Sequence, residues 1–274
     1  MPRLRVPIIF GLIVVTMVFI TAVMAPIVAP YAENDRDIEA VLDEPSSKHL
    51  LGTDESGGDV LSHIIYGSRV AIIVGLGTVF VSLLIGFVIG SISGYFGGRI
   101  DEALMRLTEI VLAFPGILLA IFIIFLTQKP GLSSVILALS ITGWAGYSRL
   151  VRGQILQARE VEFVAAARSL GASVPRIIIR HLIPNILAPV IVQATFGVAG
   201  AILAEASLSF LGLGPQTHIS WGALLDQGAV LFIKTPYLAI FSGSAIFLTV
   251  LSINFIGDYL RDWMDPKGKA RENY

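Results

Sequence analysis

Six stretches of this chain are apolar for long enough to cross a bilayer, and nothing else in the sequence constrains its fold as strongly. A helix needs about 20 apolar residues to cover a hydrocarbon core about 30 Å thick. Runs of that kind begin near Val6, Val70, Leu107, Ser133, Ile186 and Tyr237. Within a bilayer every backbone N–H and C=O must be satisfied by the protein itself. The sequence therefore predicts an all-α membrane protein of six transmembrane helices. Composition agrees, since 14% of the residues are charged, where a soluble chain carries roughly a quarter. The formal net charge of −1 offers no footing for nucleic acid. With no cysteine, disulfides, thiolate zinc sites and cysteine nucleophiles are excluded.

The first run, "VPIIFGLIVVTMVFITAVMAPIVAP", follows the basic start "MPRLR" as a signal peptide would. Its apolar part exceeds the usual signal core of about 7–15 residues, so it reads as a retained span. The third and fourth spans are separated by "TQKPGLS", a Pro-Gly turn between antiparallel neighbours. Orientation follows from lysine and arginine, which favour the cytoplasmic side. With the N-terminus inside, the inner segments hold 14 of the 19 basic residues. These are Arg3 and Arg5, Arg99 and Arg106, six arginines between Arg149 and Arg180, and Arg261, Lys267, Lys269 and Arg271. Arg36, Lys48, Arg69, Lys129 and Lys234 remain outside. Both termini are expected in the cytoplasm.

Between the first two spans, residues 31–69 contain nine carboxylates against three basic residues, which reads as a solvated outer loop. Within it, "LGTDESGGDV" sets Asp54, Glu55 and Asp59 around two glycines. The spacing of a calcium loop is absent, so a turn into the second span is the better reading. His49, His63 and His218 all fall in outer segments without ligand spacing, and no metal site is expected. In the second span Gly86, Gly90 and Gly94 repeat every fourth residue, a pattern that lets another helix approach closely. Glu205, near the outer end of the fifth span, is a candidate for the solute pathway or an outer gate. The glycine-rich stretch after it, "SFLGLGPQTHISWGALL", suits short helices on the outer face.

The least membrane-like segment is "VEFVAAARSLGASVPRIIIRHLIPN" at 161–185. Each arginine at the bilayer centre would cost roughly 2.5–3.5 kcal/mol even on a lenient scale, so the segment belongs in the cytoplasm. Ala165, Ala166 and Ala167 favour helix. Phe163, Ala166, Ala167 and Leu170 share one face of it by their spacing. Gly171 stands where a left-handed cap is expected. Ser173 can cap a second helix with Pro175 in its first turn. Arg176 and Arg180 share a face of that helix, and Pro184 is expected to end it. A DNA-binding helix-turn-helix fits poorly so close to two spans. An amphipathic helix resting on membrane lipid and a docking knob for a cytoplasmic protein fit the residues equally well.

"AAARSLGASVPRIIIRHLIP" resembles the coupling segment, or EAA loop, of binding-protein-dependent ABC importer permeases. Ala166, Ala167, Gly171 and Pro184 match its pattern, while Ala165 replaces its glutamate, His181 its isoleucine and Ile183 its leucine. Residues 49–72, 205–228 and 257–266 resemble, in the same order, segments of the dipeptide/oligopeptide/nickel branch of that family. One departure is Gly58, where that branch often has a basic residue. The resemblance implies a type I ABC importer permease architecture in a prokaryotic inner (plasma) membrane. It makes 1–274 a single transmembrane permease domain. The first span and acidic outer loop occupy 1–69, the core spans 70–260 with a coupling segment at 150–185, and a cytoplasmic tail 261–274. It implies that Ala165, Ala166, Ala167 and Gly171 contact a cytoplasmic ATP-binding subunit, with Arg168 and Arg176 as flanking charges and Pro184 closing the segment.

The implied function is half of a translocation path for short peptides or a related small solute. The implied partners are a second, different permease chain, two ATP-binding subunits and an extracytoplasmic binding protein. ATP and magnesium would sit on the partners, because this chain lacks G-x-x-x-x-G-K-[ST] and binds no cofactor of its own. Neither H-E-x-x-H nor G-x-S-x-G occurs, so catalysis, including that of an intramembrane protease, is not expected. An ion-coupled secondary transporter is the alternative, but it needs charged sites near the midplane, and the mid-span regions offer few.

Overall fold

The computed structural model describes residues 5–128 and 131–264, apart from the side chains of Arg5 and Arg168. Arg3, Lys129, Lys267, Lys269 and Arg271, used above for orientation, lie outside the described residues, as does the Lys-Pro step of the expected turn at 127–133.

The described chain is almost wholly helical. Five helices are long and apolar enough to span a membrane: α1 (Arg5–Val28), α2 (Val60–Phe96), α5 (Leu132–Ala158), α7 (Val174–Phe210) and α9 (Pro236–Met264). Between α2 and α5 lie α3 (Gly98–Leu112) and α4 (Gly116–Thr127), and two short helices, α6 (Glu162–Ser169) and α8 (Trp221–Val230), complete the chain.

The expected third span is the main departure. Instead of a straight helix from about Leu107, α3 and α4 meet at 87°, and they make a sixth span only as a bent pair. Pro115 explains the bend: it cannot donate a backbone hydrogen bond, and its ring pushes Phe114 out of the helical region. The charges of α3 agree with the bend, since Arg99, Asp101, Glu102, Arg106 and Glu109 belong at an interface. Arg152 on α5 grips Asp101 through two bonds, Nε–Oδ1 at 2.5 Å and Nη2–Oδ2 at 2.6 Å, so α3 is clamped beside the C-terminal part of α5.

A second departure concerns α2, which starts at Val60, ten residues before the apolar run. Asp59 caps it, accepting from the Ser62 backbone N–H at 2.8 Å. The cap starts the helix in a polar stretch that hydropathy alone assigns to the loop.

At the bundle's centre α2 runs against α5 along the glycine face. A β-carbon at Gly86 would lie 2.5 Å from Tyr147 Cβ, one at Gly90 2.6 Å from the Ser148 carbonyl oxygen, and one at Gly94 3.0 Å from Ile155 Cβ. The missing side chains let the two backbones approach to a distance that alanine would forbid. α1 packs between α2 and α9, and its outward side chains such as Ile13 and Met17 are left exposed for lipid.

Candidate coupling site

The basic segment folds as a helical hairpin on the C-terminal end of α5. After Arg159 the chain turns and re-enters helix at Glu162. Gly171 closes α6 at φ +76°, in the left-handed region. The Leu170 N–H makes a last four-residue bond to the Ala166 carbonyl at 3.0 Å, and the left-handed turn lets the Ala172 N–H reach the Ala167 carbonyl at 3.1 Å. Both bonds satisfy carbonyls that the helix end would otherwise leave open. Ser173 precedes α7 in an extended conformation, but its hydroxyl makes no capping bond.

The face expected to act as a unit is divided. Ala167 and Val164 are both buried, and Val164 packs with Ile155, Ile177, Leu182 and Ile186. Phe163, Ala165, Ala166 and Leu170 point away, with Leu170 88% exposed. Leu170 and Phe163 thus lie beside Ala165 and Ala166 on the open side of the helix. Arg176 and Arg180 are exposed nearby, and Arg159 ties the hairpin to α2 by donating to the Gly94 carbonyl at 2.9 Å.

Pro184 does not end the second helix; α7 runs through it from Val174 to Phe210. Residues Ile177–Leu182 adopt the wider π-helical winding, in which the Ile183 N–H reaches back five residues to Ile178. The ordinary four-residue bond that Pro184 cannot supply is relieved by that slack.

At the other end of the bundle the acidic loop is folded rather than merely solvated. His49 and His63 are buried, each beside a carboxylate: His49 Nδ1 lies 3.0 Å from Asp59 Oδ1, and His63 Nδ1 lies 3.3 Å from Asp54 Oδ2. Asp54 accepts from the backbone N–H groups of Ser56 and Gly58, both at 2.8 Å, which makes "DESGG" the turn expected from its sequence. Burial pushes the Asp54 carboxyl up, but the bonds from His63 and Gly58 outweigh it and hold the carboxyl below its usual range. At Gly58 a β-carbon would fall 2.2 Å from the His63 ring, so glycine is demanded there by the packed histidine. Tyr237 donates its hydroxyl to the Thr53 carbonyl at 2.8 Å and so pins α9 to the cap. Among the described residues no three His, Cys, Asp or Glu side chains converge as a metal site would require.

Glu205 is buried on α7 and accepts from the Ser209 hydroxyl at 2.6 Å. Its neighbour Ala206 backs directly onto Gly222 of α8, where a β-carbon would fall 2.1 Å from the Ala206 carbonyl oxygen. Glu205 thus sits in the α7–α8 packing. Between cap and α8 a polar cavity of about 330 Å³ opens instead, with Arg36, Glu55, His218 and Asp226 in its wall.

The comparisons with known proteins agree with this architecture. Residues 86–269 match the family model of the binding-protein-dependent transport system inner membrane component. The chain is 41% identical over 263 residues to a dipeptide transport system permease protein of Alkalihalophilus pseudofirmus, covering 96% of this chain and 86% of that one. It is 38% identical over 270 residues to a glutathione transport system permease protein of Pectobacterium atrosepticum, covering 98% and 89%. An inward-facing structure of the MetNI methionine ABC transporter superposes with a TM-score of 0.56 at 17% identity, over 74% of this chain and 96% of that chain, which shows a shared fold. The chain belongs to the family of binding-protein-dependent transport system inner membrane components, and it is a multi-pass permease of the bacterial inner membrane.

Proposed function

We propose that this chain forms half of the translocation path of an ATP-driven peptide importer, and that the outward face of α6 is where it receives the work of a cytoplasmic ATP-binding subunit. The observation that carries the reading is the divided helix. Val164 bolts α6 to α5 and α7 and Ala167 is buried beneath it, while Phe163, Ala166 and Leu170 are free to seat in a partner. A rigid knob of this kind transmits displacement: pulling α6 moves α5 and α7 together, and α3 follows through the Arg152–Asp101 clamp. The peptide assignment rests on the relatives, whose names are those of dipeptide, oligopeptide and glutathione permeases.

The remaining partners follow from the same reading. A second, homologous permease chain completes the path, two ATP-binding subunits carry ATP and magnesium, and an extracytoplasmic binding protein delivers solute to the cap. The arginine-rich hairpin end faces the cytoplasm, with both termini, and the acidic cap faces outward.

Ala166→Arg tests the assignment without touching the buried face. In proteoliposomes holding the assembled complex, ATP-dependent uptake of a radiolabelled tripeptide is expected to fall at least tenfold, and the ATP-binding subunits are expected to be lost on purification. Normal uptake with both subunits retained would leave α6 as a helix resting on lipid.

A further inference from the structure

At the middle of the bundle, α2, α5 and α7 enclose a cavity of about 260 Å³ that the coupling reading does not use. Its wall holds Thr78, Thr142, Tyr147 and Gln193, and none of the residues lining it is charged. Gly146 and Gly200 also line it, and a β-carbon at either would meet nothing within 4 Å. Thr78, Gly146 and Gln193 stand near the midpoints of their helices.

The polar groups here are short of partners. Thr78 is 5% exposed, yet its hydroxyl has no hydrogen-bond partner among the described residues. The Tyr147 hydroxyl and the Gln193 carboxamide likewise have none. The Thr142 hydroxyl donates to the Leu139 carbonyl at 2.9 Å and keeps its lone pairs open. Against hydrocarbon each unsatisfied group would cost several kcal/mol, so this face cannot look onto lipid. It faces water and solute, or another protein.

Three features favour solute. The groups are donors and acceptors of the neutral kind that match amide N–H and C=O. Gly146 and Gly200 leave open space rather than a filled seam, in contrast to Gly86 and Gly90, where the neighbouring helix is already in contact. A wall without charge admits solutes of either sign, where a fixed carboxylate or guanidinium would hold one and repel another. We propose that this cavity is the subunit's solute-contacting wall, where Tyr147 and Gln193 bond the backbone amides of a short peptide in passage. The inference rests on the importer reading for its ligand, and on the unpartnered groups for its location.

The chain has no cysteine, so an introduced thiol is the only one it carries. Gly146→Cys, Gln193→Cys and, as a buried reference, Val74→Cys would be treated with a membrane-impermeant maleimide in the assembled complex in lipid nanodiscs. Modification is read as a mass shift of this chain. Modification at 146 and 193 is expected at least tenfold faster than at 74, and millimolar trialanine is expected to slow it at least twofold where glucose does not. Rates as slow as at 74 in the complex, whether or not the isolated chain reacts quickly, would overturn the cavity assignment in favour of a seam or a lipid face. Fast modification without protection by trialanine would overturn the peptide ligand. This readout needs no uptake, and failure of the coupling reading would show separately, as loss of the ATP-binding subunits from Ala166→Arg.

Discussion

Gly90→Ala adds one methyl group to the close seam between α2 and α5, and its cost can be worked from the backbone. The new carbon would lie 2.6 Å from the Ser148 carbonyl oxygen, 2.8 Å from Val151 Cβ and 3.1 Å from the Arg152 nitrogen. These obstacles are backbone atoms and a Cβ, so no rotamer change relieves them. To restore 3.4 Å, α5 would have to retreat by about 0.8 Å from the oxygen. Overpacking of this kind costs about 1–3 kcal/mol, while replacing glycine in a helix returns about 0.5–1 kcal/mol. Destabilisation therefore wins. At roughly 2–4 °C per kcal/mol for a chain of about this size, the thermal midpoint of the detergent-solubilised protein should fall by a few degrees. Gly146→Ala is the matched control on α5. Its methyl group meets nothing within 4 Å, so only the helix term remains and the midpoint should hold or rise. Equal midpoints for the two variants would refute the close approach of α2 to α5.

Other perturbations probe other links in the same chain of reasoning. Gly171→Val forces a β-branched residue to φ +76°; α6 should lose its cap, and ATP-binding-subunit copurification should drop severalfold while the midpoint of the permease changes little. Asp101→Asn removes the carboxylate that Arg152 holds in two bonds and should cost about 1–3 kcal/mol, measured by the same thermal assay. Asp54 has a carboxyl depressed in the folded state below its ordinary 3.8. Its contribution is complete above that value and is lost as pH falls through the lower folded value. Protease resistance of the acidic cap should therefore weaken below about pH 4 in the intact protein, and less so in Asp54→Asn, whose smaller resistance at neutral pH has no such titration to lose.

Much of this architecture is legible in the sequence because a bilayer imposes length and apolarity on every span. The left-handed cap at Gly171 is equally legible, since a lone glycine after an alanine helix has few other roles. The bend at Pro115 is harder to read, because hydropathy continues across the break and the helix before it carries the charges on a separate face. Pro184 misleads for the opposite reason: a proline signals a stop, but π-helical winding just before it absorbs the missing bond. The pairings His49–Asp59 and His63–Asp54 depend on how the cap folds back on the start of α2, and no spacing rule connects them. Thr78, Tyr147 and Gln193 leave the weakest trace of all. Uncharged polar residues scattered in three apolar runs change each run's hydropathy little, and only the packing of α2, α5 and α7 brings them to one cavity.

The most direct measurement on the central claim is disulfide cross-linking from Phe163→Cys in the assembled complex, with Glu55→Cys on the acidic cap as reference. A cysteine is placed in turn at each exposed groove position of the ATP-binding subunit. The account predicts that position 163, beside the exposed Ala166 and Leu170, gives a cross-linked band with the ATP-binding subunit and that position 55 gives none. A band from position 55, or none from 163 at any partner position in a complex that still imports peptide, would contradict it.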